Sequence, residues 1–100
     1  MKQTNNKETK YIQLNKKITS LIKEEVNLIA NLSNICAAIK ESMRFLWVGF
    51  YIVNKNELIL GPFQGTVACT RIKKGEGVCG NAWKKNSTII VDNVNEFKGH

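Results

Sequence analysis

The apolar positions of this chain change period once, near Arg44, and the change divides it into a helical and a strand-bearing part. Between Lys7 and Ser20, Tyr11, Leu14 and Ile18 recur at helical spacing. Thr19-Ser20 is the expected boundary. A stronger pattern follows in Ile22, Val26, Ile29, Leu32, Cys36, Ile39 and Met43, which share one helical face, with Lys23, Glu24, Asn31, Asn34 and Glu41 opposite. Beyond Arg44, LWVGFYIV is aromatic and β-branched and has the length of a strand. Asn54-Lys55-Asn56 is a turn, and ELILGPF returns as a second strand, so a hairpin is expected, broken or kinked at Gly61-Pro62. Gln64-Gly65 turns the chain again into a third strand, Val67 to Ile72. Lys73 to Gly77 is a charged, glycine-punctuated loop, and Asn81 to Lys85 is one short helical turn. STIIVDN is a further strand, with Val94 to His100 as loop. Helices followed by strands predict an α+β layer arrangement. Residues 1–6 are a polar tail, and residues 7–100 form one domain.

Composition bounds this picture. One hundred residues allow one small domain, and 43% apolar residues suit a globular chain rather than a disordered one. No segment approaches the ~20 apolar residues of a membrane helix. MKQTNNKETK carries no apolar stretch of a secretory signal, so a cytoplasmic location is expected. A sheet of about four strands under one helical layer normally continues, so the chain is read as very minimal or as a fragment.

The net charge of +7 raises the question of nucleic acid. Six lysines precede Glu24 and six basic residues follow Gly61, mostly interspersed with Glu, Asp and Asn. A solvated basic surface explains this distribution, and nucleic acid is not an expected partner.

The candidate chemistry lies in the thiols. Three cysteines is an odd count, which suits free thiols in a reducing compartment. Cys36, in a helical pattern beside Ala37 and Ala38, reads as a small core residue. No C-x-x-C pair exists and the single histidine is terminal, so no metal site is expected. Cys79 lies between glycines at the mouth of a short helix, where unpaired N–H groups and the helix dipole favour a thiolate, with Lys73 and Lys74 adding positive charge. The alternative is a glycine-rich turn with an inert cysteine. Cys69, on the third strand, is placed to reach back towards Cys79 as a resolving thiol, or else faces the core. On a strand, Trp47, Gly49 and Tyr51 share a face, and Gly49 leaves a dent between two rings. Those rings form a ligand wall with the Tyr51 hydroxyl as polar handle, or are simply core.

WVGFY, LGPFQG, VAC, GEGVCG and VDNVNEFKGH resemble, in order and spacing, the free methionine-(R)-sulfoxide reductases, small stand-alone GAF domains. The resemblance covers most of the chain, loosely around ANLSN and hardly at all in the tail. It implies an N-terminal portion of that fold: a GAF-like antiparallel sheet with N-terminal helices packed on one face, truncated before the last strands and closing helix. It implies reduction of free methionine sulfoxide through sulfenic acid and disulfide intermediates. No bound cofactor is expected; thioredoxin is the external reductant and partner. Cys69 and Cys79 match the first two family cysteines as catalytic residues, and Trp47 and Tyr51 match residues lining the substrate pocket. The third family cysteine follows the G-H dipeptide, here Gly99-His100, and acidic pocket residues lie further on. Cys36 matches no family cysteine, and Lys98 stands where proline is common. A homodimer is left open, and no membrane or metal is implied. A non-catalytic GAF ligand-binding or regulatory module and an inactive fragment are the alternative readings.

Overall fold

A computed structural model of the chain describes residues 6–97. The rest of the expected tail and the Lys98, Gly99 and His100 readings lie outside the described residues. The elements run α1 (Asn6–Ile22), α2 (Leu28–Met43), β1 (Val48–Asn54), β2 (Glu57–Gln64), β3 (Arg71–Lys73), α3 (Gly77–Lys85) and a 3-10 turn (Val94–Glu96). The three strands form one sheet in the order β1-β2-β3. This is the expected α+β arrangement, helices first and antiparallel sheet after. The chain divides into two compact units, one reaching to Phe50 with Pro62–Val67 added, the other comprising Tyr51–Gly61 and the residues from Ala68 on.

In the first unit α1 packs on α2 around Leu14, Cys36 and Ala38. The helix boundary lies at residues 23–27 rather than at Thr19-Ser20. Thr19 donates its hydroxyl to the Asn15 carbonyl at 2.8 Å, a bond made inside a helix, so it does not stop one. Asn27 is the cap instead: its side chain accepts from Ala30 N–H at 2.9 Å. Ile22 therefore belongs to α1, and Val26, in the connection, is 96% exposed. Arg44 ends α2 in the left-handed region, φ 55°, with its N–H donating to Lys40 O at 2.9 Å. Cys36 is 1% exposed, and its thiol donates to Pro62 O at 3.4 Å, setting α2 against that part of β2. The core reading of Cys36 holds.

In the second unit the hairpin turns at Lys55 (φ 58°), as the Asn-Lys-Asn run predicts. β2 pairs antiparallel with β3 through Glu57–Lys73, Leu58–Ile72 and Ile59–Arg71, and Leu58 is buried. Arg71 and Glu57 form an ion pair across these strands. β2 runs through Gly61-Pro62 without a break. Leu60 N–H is bonded to Thr70 O, beyond which β3 offers no ladder. Two residues on, the nitrogen of Pro62 faces the same way, where a missing N–H costs nothing.

Two expected strands are corrected. The third is three residues long, not six, because Val67 is 97% exposed and 67–69 have no ladder. STIIVDN forms no strand: no described segment pairs with it, and Ile90 is 89% exposed. The last helix is longer than expected, Gly77–Lys85 rather than one turn, and closes at Asn86 (φ 51°) with its N–H on Trp83 O at 3.0 Å.

Candidate active site

The segment Lys73–Asn81 builds the surroundings of Cys79. Gly75 (φ 86°) and Gly77 (φ 65°) occupy the left-handed region, which side-chain-bearing residues rarely adopt. The turn they make lets Gly75 N–H bond Gly80 O at 2.9 Å and Glu76 N–H bond Lys73 O at 3.1 Å. Gly80 N–H then donates to Glu76 O at 3.1 Å and starts the helix. Asn81 closes the loop from the helix side, its amide donating to Gly75 O at 3.0 Å and Gly77 O at 2.7 Å. Sequence reading missed this clasp; an Asn four residues after a glycine in a glycine-rich loop was its only signal. Cys79 is the third residue of α3, at the helix mouth as expected.

Its ionisation departs from expectation. Burial of the sulfur pushes the Cys79 thiol up, although part of the residue is exposed, and a thiolate at Cys69 pushes it further. The helix start and the lysines do not outweigh these effects. Lys74 places its ammonium over the Trp83 ring, 4.9 Å from the centroid.

Cys69 lies in the segment before β3, not on a strand, and is exposed. Its carbonyl accepts from the Tyr51 hydroxyl at 2.8 Å. Burial raises the Tyr51 pKa first, with Cys69 and then Cys79 adding to it. Tyr51, Cys69 and Cys79 thus form one electrostatic cluster within the second unit. All three cysteines carry free thiols. Among the described residues no three of His, Cys, Asp and Glu converge as a metal site requires, and no helix is long and apolar enough to cross a membrane.

Trp47 belongs to the first unit. Its indole stacks on Phe63, centroids 5.5 Å apart and planes 18° off parallel, and its N–H donates to Thr66 O at 3.1 Å. The expected dent at Gly49 is filled: a Cβ there would lie 2.5 Å from Phe63 Cβ and against the Trp47 ring. Gly49 makes room for the indole beside it rather than for a ligand between two rings.

No family model matches the chain. Sequence comparison finds 55% identity over 95 residues with GAF domain-containing protein A of Dictyostelium discoideum, covering 94% of this chain and 60% of that protein. The free methionine-R-sulfoxide reductase of Escherichia coli (strain K12) is 40% identical over 96 residues, covering 95% of this chain and 58% of that protein. Among solved structures, the free methionine-R-sulfoxide reductase of Neisseria meningitidis in complex with its substrate superposes with a TM-score of 0.93 at 41% identity, over 100% of this chain and 61% of that one. The chain spans about three-fifths of the length of the curated relatives it matches. By sequence and by fold, the chain resembles GAF-domain proteins, the free methionine-R-sulfoxide reductases among them, over about three-fifths of their length.

Proposed function

We propose that the protein reduces free methionine-(R)-sulfoxide to methionine by thiol chemistry, with Cys69 and Cys79 as catalytic residues and Trp47 and Tyr51 binding substrate. One thiolate attacks the sulfoxide sulfur while the oxygen is protonated; methionine leaves, and the enzyme retains a sulfenic acid. A second thiol condenses with it, forming a disulfide and releasing water. Thioredoxin reduces the disulfide by exchange, and no bound cofactor takes part. Free thiols at all three cysteines suit a reducing compartment, the cytoplasm. The observation that carries the reading is the clustering of Cys69 and Cys79 in one unit, in a chain 40% identical to a named reductase of this substrate. Burial raises the Cys79 thiol, so at a given pH less of it is thiolate than in an ordinary cysteine. By resemblance, a third thiol beyond the Gly-His dipeptide shares this chemistry.

The test is NADPH consumption by the full protein in a thioredoxin-coupled assay on free methionine-(R)-sulfoxide. Cys69→Ser and Cys79→Ser each remove most turnover. Unchanged turnover in both variants refutes their catalytic roles. A non-catalytic GAF ligand-binding module is the second reading; the 55% identical relative is named for its GAF domain. It predicts no turnover in the parent protein with either sulfoxide epimer.

A further inference from the structure

We infer that the Tyr51 hydroxyl is a positioning group for Cys69, tethering the backbone from which that thiol works. The inference rests on the thiol reading above and gives the Tyr51 hydroxyl, read from the sequence as a polar handle for ligand, a task within the chain. Cys69 needs such a tether because β3 does not hold it: the strand begins at Arg71, and Val67, upstream, is 97% exposed. Two successive carbonyls are gripped. Thr70 O accepts from Leu60 N–H at 2.9 Å as the last bond of the ladder. Cys69 O accepts from Tyr51 Oη at 2.8 Å, a bond from a side chain that reaches the segment where the ladder has stopped. A thiol on an unheld loop samples many positions, and a bond that fixes its backbone narrows them to the one the site uses, in which a reagent from solution meets the sulfur less often than on a free loop.

The donor is suited to this task. Burial, Cys69 and Cys79 all act to keep the phenol protonated. The hydroxyl therefore goes on donating when the thiols ionise, which is when their position matters. Tyr51→Phe keeps the aromatic ring and removes the hydroxyl that bonds Cys69 O.

The experiment is site-resolved alkylation of the reduced full protein with iodoacetamide, read by peptide mass, alongside thermal unfolding. In Tyr51→Phe, Cys69 reacts about three- to tenfold faster than in the parent, the factor that one net hydrogen bond is worth. Cys79 changes less than twofold. Glu57→Gln, which removes the ion pair to Arg71 beside the same segment, leaves Cys69 within twofold and so separates tethering from general loosening. Placing 3,5-difluorotyrosine at position 51 gives a second arm that keeps ring and hydroxyl. Its phenol ionises near neutral pH, and the Cys69 rate relative to the parent rises as that proton leaves. A Cys69 rate within 1.5-fold of the parent (about 0.2 kcal/mol) in both variants overturns the tether. These readouts need no sulfoxide, so failure of turnover in the parent sinks the reductase reading and leaves the tether standing.

Discussion

Replacing Gly80 by alanine measures how tightly the loop carrying Cys79 is closed, because two effects of known size oppose each other there. Alanine inside a helix is favoured over glycine by about 1 kcal/mol, since glycine loses more backbone freedom on folding. Against this, a Cβ at Gly80 would lie 2.5 Å from Lys73 O and 3.2 Å from the Gly75 nitrogen. Both are backbone atoms, so no rotamer change relieves the contact. The helix and the Lys73 turn must separate, which lengthens the Gly75 N–H to Gly80 O bond, now 2.9 Å. Overpacking of this kind costs about 1–3 kcal/mol, and a weakened hydrogen bond about 1 kcal/mol more. Subtracting the helical gain leaves a net loss of about 1–3 kcal/mol. In so small a domain each kcal/mol is about 4–8 °C in Tm, so a fall of at least about 4 °C is expected. Thermal unfolding of parent and Gly80→Ala, followed by far-UV circular dichroism, reads it directly. A Tm equal to or above the parent's would mean that propensity outweighs the close approach and that the loop is looser than described.

The Cys79 pH–rate profile for alkylation should have its midpoint above the ordinary thiol range of about 8.5, and Cys69→Ser should bring it down by removing the second cause of the shift; a midpoint below that range refutes the burial argument. Cys36, Cys79 and Tyr51 are all raised in the folded state, so their stabilisation is complete below the unfolded values and lost as pH rises through the folded ones. Unfolding free energy measured in urea should therefore decline from about pH 8.5 upward, and a rise over that range contradicts the sign. Gly49→Ala drives a methyl into Phe63 Cβ and the indole, costing about 1–3 kcal/mol and moving the tryptophan emission. Parent-like stability and emission in that variant would show that Trp47 does not sit over Gly49.

Periodicity made the two helices legible, but the break between them depended on one hydroxyl. Thr19-Ser20 has the composition of a boundary, and only the bond from Thr19 to Asn15 O shows that it is helix interior. Strands were legible in proportion to whether their partners were. The hairpin carries its own partner across Asn54-Lys55-Asn56, and β1 and β2 formed as expected. STIIVDN has β propensity as strong as either, but propensity describes a side chain's fit to a sheet and not the neighbouring strand that makes one.

The chemistry divides along the same line. That Cys79 starts a helix follows from its glycines, and its neighbourhood with Cys69 follows once β3 pairs with β2. Both are matters of backbone path, which spacing encodes. The sign of the Cys79 shift is not, because it weighs charges visible in the sequence against desolvation set by what packs on the sulfur. Helix-end and surface-lysine effects are typically below 1 kcal/mol each where solvent screens them. Burial of a charged form easily exceeds that. The Gly49 dent fails for a related reason: a gap between neighbours on one strand is open only if nothing else fills it, and here Trp47 does. Reactive-thiol arguments from sequence therefore locate the sulfur more securely than they set its charge.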